Sequence, residues 1–190
     1  MPPQAERNEI VSNAARLLRD AKLLVDNERY ASAFALSVLA LEEIGKVVLV
    51  LWGASQPVHK SGKRLSSHLR KQAAVSSLLL AQYTTKELGD LVSSSPVTAE
   101  LIERVSRTMY ESEAGKFVRL VGVGAVDKTK QIAFYRDDWL ESAGLHADQF
   151  DASDVTQLFE KCRAAIAALG DSKTMHVGRA IWRTGVIQAA

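Results

Sequence analysis

The sequence predicts an all-α protein, an antiparallel helical bundle with one short irregular or extended segment near residues 125–140. Three observations predict this fold. Apolar residues recur at intervals of three and four over most of the chain, which is the period of an α-helix packed on one face. One stretch is apolar on nearly every side, as the central helix of a bundle is. Short polar segments separate these stretches, and we expect one domain over residues 1–190.

The first two helices are predicted to form a hairpin. The first covers residues 6–26, and the second covers residues 30–53 and ends at Gly53. The short polar break "DNERY" between them favours an antiparallel pair. The second helix is rich in Ala and Leu all round, so we expect it at the centre. The apolar stripe of the first helix consists of Ile10, Ala14, Leu17, Leu18, Ala21, Leu24 and Val25.

Two more helices follow a loop at residues 54–63. A third helix is predicted over residues 64–92 and is closed by "SSSP". Thr98 begins a fourth helix, which we expect to continue past Gly115 with a kink.

The last part of the chain is predicted to contain the non-helical segment and two helices. "KTKQIAFYRDDW", residues 128–139, carries aromatic residues between charges and is read as extended or irregular. A later helix is capped by Ser153 or Asp154 and ends at Gly170. A short final helix holds "MHVGRAIW".

Composition restricts the class of protein. Apolar residues make up 47% and charged residues 24%, which favours a globular chain over a disordered one. The single cysteine, Cys162, allows no internal disulfide and fits a reducing compartment, where we expect it to be a packing residue. The N-terminal residues have no apolar signal-peptide core. The longest apolar run of the second predicted helix is interrupted by Glu42, Glu43 and Lys46. We therefore expect a cytoplasmic protein without a membrane span.

No metal or cofactor is expected. The four histidines lie far apart and match no zinc-binding or di-iron spacing. "GVGAVDKT", residues 122–129, approaches a phosphate-binding loop, but Asp127 stands where the second glycine belongs and would face the phosphates. We therefore exclude an NTPase.

Charge is unevenly distributed along the chain. No acidic residue occurs from Ile44 to Lys86, whereas residues 137–154 contain acidic residues and no Lys or Arg. A basic surface of this kind suits an anionic partner such as RNA, but the two blocks can equally pair with each other within the fold or across a dimer. The basic block contains Lys46, Lys60, Lys63, Arg64, Arg70, Lys71 and Lys86, with His59 and His68.

The most informative stretch is "LALEEIGKVVLVLW", which places charges in an apolar helix. On a helix Lys46 is within reach of both Glu42 and Glu43. The apolar neighbours predict that at least one glutamate is partly buried, and a buried carboxylate requires a partner. Since one lysine does not neutralise two glutamates, we expect further cations from the next helix, where His68 and Lys71 are spaced i, i+3.

Three segments, "LALEEIGK", "SSHLRK" and "KQIAFYRDD", resemble the marker segments of the abortive-infection protein V (AbiV) family. That family belongs to the HEPN domains (higher eukaryotes and prokaryotes nucleotide-binding). The resemblance spans roughly residues 6 to 140. In the third segment, residues 133–137, Arg136 replaces a residue that is small and apolar in the family.

The resemblance implies a HEPN-like bundle in a bacterial anti-phage protein, working as a homodimer and responding to a phage protein trigger. Many HEPN relatives are metal-independent endoribonucleases whose signature is an Arg, four to six residues, and a His. Here three residues separate Arg64 from His68, so the chain departs from that signature.

If the protein is a ribonuclease, the resemblance implies roles for several residues. His68 is the candidate acid–base, with Lys71 and Arg64 (or Arg70) on the phosphate and Glu43 orienting one of them. Glu42 and Lys46 are the supporting polar cluster. The expected contacts to RNA or a partner are Lys60, Lys63, Arg70, Lys130 and Tyr135.

Two alternatives remain open from the sequence. The first is a non-catalytic interaction module that binds a protein or RNA through its basic segment, residues 59–71. The second is a helical adaptor in which Glu43, Lys46, His68 and Lys71 form a purely structural network between helices.

Overall fold

The computed structural model describes residues 4–53, 66–89, 98–134 and 149–184. These residues form eight helices and no strand, which confirms the predicted all-α fold. The helices are α1 (Gln4–Asp26), α2 (Tyr30–Leu51), α3 (Ser67–Glu87), α4 (Ala99–Glu111), α5 (Glu113–Gly122), α6 (Ala125–Phe134), α7 (Ala152–Ala168) and α8 (Ser172–Thr184).

Helices α1 and α2 form the predicted hairpin, with α2 at the centre of the bundle. The turn between them places Glu28 at φ 57, and the backbone N–H of Arg29 donates to the carbonyl of Leu24 at 2.8 Å. Helix α2 packs against α1, α3, α6 and α7, so its apolar residues are enclosed on several sides. Val38, Leu41, Ile44 and Val48 are fully buried there and belong to the main core.

Helix α3 begins at Ser67, later than the predicted residue 64, because Ser66 caps it by accepting a hydrogen bond from the N–H of Leu69 at 3.2 Å. Helices α2 and α3 approach each other closely at Gly45. A Cβ atom on Gly45 would lie 2.3 Å from the backbone oxygen of Lys71, so only glycine permits this approach.

The predicted long fourth helix is two helices that meet at Ser112. This residue has an extended backbone, and its hydroxyl accepts from the N–H of Gly115 at 3.0 Å, which starts α5. The change of direction expected near Gly115 therefore occurs three residues earlier, at a cap.

The expectation of an irregular segment at residues 125–140 is wrong for residues 125–134, which form α6. Gly124, at φ 71, ends the preceding turn, and α6 then buries Val126 and Lys130 one helical turn apart against α2. Because Asp127, Lys128 and Lys130 are charged, the apolar spacing that indicates a helix is not visible in this part of the sequence. Residues 135–140 lie outside the described part of the chain.

Helix α7 is capped two or three residues earlier than predicted. Its N-cap is Asp151, whose carboxylate accepts from the N–H groups of Ser153 and Asp154, while the side chain of Asp154 bonds back to the N–H of Asp151. Cys162 on this helix is fully buried, and burial raises the pKa of its thiol to about 12. The thiol is therefore a packing group, consistent with the sequence-based interpretation.

Helix α8 extends the predicted short helix to residues 172–184 and packs on α3. The indole N–H of Trp52 donates to the carbonyl of Met175 at 3.1 Å, joining the end of α2 to α8. Among the described helices, none has both the length and the apolar character that a bilayer crossing needs.

Candidate active site between α2, α3 and α6

The carboxylate of Glu42 lies buried where α2, α3 and α6 meet, and only 2% of the residue is exposed. Its Oε1 accepts hydrogen bonds from Nε2 of Gln72 at 3.0 Å and from Nζ of Lys130 at 2.7 Å. Its Oε2 lies 2.7 Å from Nδ1 of His68. Three side chains from two other helices therefore converge on one carboxylate. We call Glu42, His68, Gln72, Asp127 and Lys130 the Glu42 cluster.

Local helical geometry explains how α3 supplies two of these partners. His68 and Gln72 are four residues apart, so they lie on the same face of α3 and point toward α2. Gly45 is three residues beyond Glu42 on α2, and its lack of a side chain lets α3 come close enough for both contacts. The close helix approach and the hydrogen bonds to Glu42 thus depend on each other.

Helix α6 supplies the cation of the cluster. Only 7% of Lys130 is exposed, and its ammonium forms ion pairs with Glu42 at 2.7 Å and with Oδ1 of Asp127 at 2.9 Å. Asp127 and Lys130 are three residues apart, so they share a face of α6. An ammonium removed from water requires such partners, and here it has two carboxylates.

The electrostatics keep both members of the central pair charged. Burial raises the pKa of Glu42, but hydrogen bonds from Lys130, His68 and Gln72 outweigh it and hold the pKa below its usual value. Burial lowers the pKa of Lys130, but the two carboxylates of Glu42 and Asp127 outweigh it and raise the pKa above its usual value. Glu42 is therefore an anion and Lys130 a cation at neutral pH.

His68 is the member of the cluster that reaches the surface. Its side chain is 48% exposed, whereas the carboxylate that it contacts is buried. The Glu42 carboxylate, 2.7 Å from Nδ1, favours the tautomer in which Nδ1 donates the hydrogen bond, and in the neutral form of that tautomer Nε2 carries the lone pair. A buried carboxylate that orients a half-exposed imidazole is an arrangement with which general-base chemistry is compatible.

Three side chains of the cluster belong to residue types that bind metal ions in proteins. One ligand atom each from Glu42, His68 and Asp127 lies within 4.8 Å of the others. The ammonium of Lys130 is within hydrogen-bonding or ion-pair distance of all three side chains, since it also lies 3.4 Å from Nδ1 of His68. The position that suits a divalent ion is therefore shared with a cation of the chain itself, and these residues fit a metal poorly while Lys130 remains there.

The comparison with protein families identifies the chain's relatives. The model of the AbiV family of HEPN domains matches residues 4–158, which include every member of the Glu42 cluster. The chain belongs to the AbiV family. Membership suggests a role in abortive infection, a bacterial defence against phage. Searches of characterised proteins and of solved structures found no significant match.

In this AbiV protein, the predicted pair of glutamates divides between two environments. Glu43 does not join the Glu42 cluster but forms an ion pair with Lys46 on the same helix. Lys71, which was expected together with His68 as a candidate for the further cation, is half-buried, and the ammonium that pairs with Glu42 comes from Lys130. The reason is that Gln72, one position further, occupies the face of α3 that meets Glu42.

Lys130 was expected on the surface as a contact to RNA, whereas the structure buries it in the Glu42 cluster. Its ammonium already forms ion pairs with two carboxylates. These pairs could not be anticipated, because residues 128–139 were predicted to be extended or irregular rather than helical. Arg70 lies on α3 and is half-buried. The other predicted positions, Lys60, Lys63, Arg64 and Tyr135, lie outside the described residues.

Sequence reasoning missed two members of the cluster. Gln72 lies at i+4 from His68, and Asp127 lies at i−3 from Lys130, so helical spacing connects each to a residue already singled out. Gln72 carries no charge, and Asp127 was considered only as a defect in a phosphate-binding loop. Both were therefore overlooked.

A separate groove of about 1020 Å³ opens between α3, α5 and α7. None of the Glu42 cluster lines it, and its charged lining residues are of both signs, with Lys86, Glu113 and Lys161 among them. None of the described residues that line the groove is a histidine, so it lacks a carboxylate–histidine pair like that of Glu42 and His68.

Proposed function

We propose that this AbiV-family protein is an endoribonuclease of abortive infection that cuts RNA without a metal ion, with His68 as the acid–base residue. The single observation that carries the proposal is the contact of His68 Nδ1 with the buried carboxylate of Glu42 at 2.7 Å, combined with a half-exposed imidazole. A structural histidine needs no exposed ring edge, whereas a general base must reach its substrate.

The reaction is an internal transfer within the RNA chain. Nε2 of His68 takes the proton of a ribose 2′-hydroxyl, and the 2′-oxygen forms a bond to the adjacent phosphorus. The bond from phosphorus to the 5′-oxygen breaks, and that oxygen takes a proton from water. The imidazolium of His68 then neutralises the hydroxide. The products are a 2′,3′-cyclic phosphate and a free 5′-hydroxyl.

Several features of the molecule support this reaction. Glu42 stabilises the imidazolium that forms, because it is ionised and in direct contact with the ring. The sequence segment that contains His68 is basic, with no acidic residue from Ile44 to Lys86, and this composition favours a polyanionic substrate. Membership of the AbiV family supports RNA as the target through the HEPN relatives that it implies.

The test is incubation of the purified protein with total cellular RNA in the presence of a chelator, with and without lysate of phage-infected cells. We expect discrete fragments with 5′-hydroxyl ends from the wild type and none from His68→Ala. His176→Ala is the matched control, because His176 is also exposed but lies on α8 outside the cluster. Circular dichroism of each variant checks that the fold is retained.

Other outcomes would redirect the interpretation. Fragments with 5′-phosphate ends that disappear with the chelator would contradict 2′-hydroxyl attack. RNA that is bound but stays intact would favour the non-catalytic module that uses residues 59–71. Equal cleavage by wild type and His68→Ala would exclude His68 as the base.

A further inference from the structure

The groove between α3, α5 and α7 takes no part in the reaction above. Its volume is about 1020 Å³, and its floor is apolar, with Leu79 and Phe117 buried and Ala164 half-buried. Charged side chains surround this floor. A concave surface that is mostly apolar and carries a few polar groups is the usual form of a ligand site.

Lys161 of α7 is the lining residue whose charge is least compensated. It is half-buried, and its ammonium lies 5.5 Å from the centroid of the Phe117 ring. Burial lowers the pKa of Lys161 below its usual value, and the charge of Glu113 offsets this only in part. No carboxylate among the described residues forms an ion pair with this ammonium. An anion brought into contact with it would therefore be stabilised.

Two carboxylates that line the groove are already paired with cations. Glu113 accepts a hydrogen bond from Lys116 at 2.7 Å, and Glu160 forms an ion pair with Arg163 at 3.3 Å. Because each has a partner of its own, neither neutralises Lys161 by direct contact.

The charges left over favour a ligand with a single negative charge. Among the described lining residues, Lys86 and Lys161 are cations without an ion pair, whereas Glu87 is the one carboxylate without a pair. Two cations against one carboxylate suit a monoanion. A polyanion such as RNA would meet the lining carboxylates as well, and a cationic ligand would add to the cost of burying Lys161.

The lining also favours a slim aliphatic ligand over an aromatic one. Three of the lining residues are alanines, and the ring of Phe117 is only 3% exposed, so little aromatic surface is open for stacking. Small side chains instead leave room along the floor for a chain of methylene groups, each of which gains from leaving water.

We propose that this groove is a binding site for a small monocarboxylate with an aliphatic chain, whose carboxylate pairs with the ammonium of Lys161 while its chain lies over Leu79, Phe117 and Ala164. Lys161 and the groove have no role in the proposed cleavage of RNA. Failure of either proposal therefore leaves the other intact.

The first test is calorimetric titration of the full chain with octanoate. We expect one site, and about 10- to 100-fold weaker binding by Lys161→Met, which keeps the length of the side chain but removes a hydrogen bond between charged groups. Lys173→Met is the matched control and should bind as the wild type does, because Lys173 is an exposed lysine of α8 outside the groove. Circular dichroism checks that each variant is folded, with and without octanoate.

The second test separates the two parts of the ligand. Acetate lacks the chain, octanol lacks the charge and octylammonium reverses it, so each should bind at least about 10-fold more weakly than octanoate. Ala167→Phe should also weaken octanoate binding, because it adds bulk at an exposed lining position and leaves Lys161 in place. Nuclear Overhauser contacts between the octanoate chain and the Phe117 ring would locate the ligand in the groove.

Several results would overturn the proposal. These are the absence of octanoate binding, an octanoate affinity that Lys161→Met leaves unchanged, and octanol or octylammonium binding as tightly as octanoate. Displacement of octanoate by a short RNA would assign the groove to the RNA-binding surface instead.

Discussion

Glu42 and Glu43 are consecutive residues of α2, and each forms an ion pair with a lysine, but their surroundings differ. Glu42 is 2% exposed and receives hydrogen bonds from α3 and α6. The side chain of Glu43 is 17% exposed, and its partner Lys46, on the same helix, is 42% exposed. One step along a helix rotates the side chain by about 100°, which turns Glu42 into the core and leaves Glu43 at its edge.

The comparison shows that the contribution of an ion pair to stability depends on how far its charges are buried. Around Glu42 both charges are removed from water, so each depends on the other and on the neighbouring hydrogen bonds. Around Glu43 the lysine remains solvated, and water replaces the carboxylate if the pair is broken. The buried pair constrains three helices, whereas the outer pair constrains one.

The largest difference is expected on removing each carboxylate. Glu42→Ala leaves the buried ammonium of Lys130 with Asp127 alone, and we expect the free energy of unfolding to fall by about 3 kcal/mol. Glu43→Ala should lower it by less than about 1 kcal/mol. Urea denaturation measures both values. Equal losses would show that burial does not distinguish the two pairs.

The next effect concerns the close approach of α2 and α3 at Gly45, beside the Glu42 cluster. Gly45→Ala places a Cβ atom 2.3 Å from the backbone oxygen of Lys71, so α3 must move away from α2. We expect a loss of about 1–3 kcal/mol, as for other overpacked contacts, together with a changed NMR signal of His68. Gly89→Ala is the control, because a Cβ there meets nothing within 4 Å. A variant as stable as the wild type, with an unchanged His68 signal, would refute this role of Gly45.

Acid pH should separate the two regions further. The pKa of Glu42 is lowered in the folded state, so its contribution to stability is complete above its unfolded pKa of about 4.3 and is lost as the pH falls through the folded value. Glu42→Gln should remove this part of the acid dependence, and Glu43→Gln should retain it. Urea denaturation at a series of pH values measures the slope. Parallel curves for wild type and Glu42→Gln would contradict the assignment.

The smallest effect is expected at Lys46. Since its side chain is 42% exposed, Lys46→Ala should change the free energy of unfolding by no more than about 0.5 kcal/mol. Added salt should reduce even this difference. A loss comparable with that of Lys130→Ala, measured in the same urea series, would mean that the outer pair is part of the same network.

Much of the fold was predictable because helical periodicity is local. The α1–α2 hairpin and the central position of α2 follow from apolar spacing and from the polar break at residues 26–30. Helix α6 was not predictable in this way, because one of its two buried residues is Lys130, whose burial makes sense only once Glu42 and Asp127 are beside it.

For the site, the sequence by itself determined that a carboxylate of the Glu42–Glu43 pair would be buried and would need cations from another helix, and His68 was among the partners expected. Only the tertiary structure decided that the carboxylate is Glu42, that Gln72 rather than Lys71 faces it, and that Lys130 supplies the ammonium from 88 positions away. The physical reason is that the cost of burying a charge can be read from its neighbours in the sequence, whereas the partner that offsets this cost is set by how α3 and α6 pack on α2.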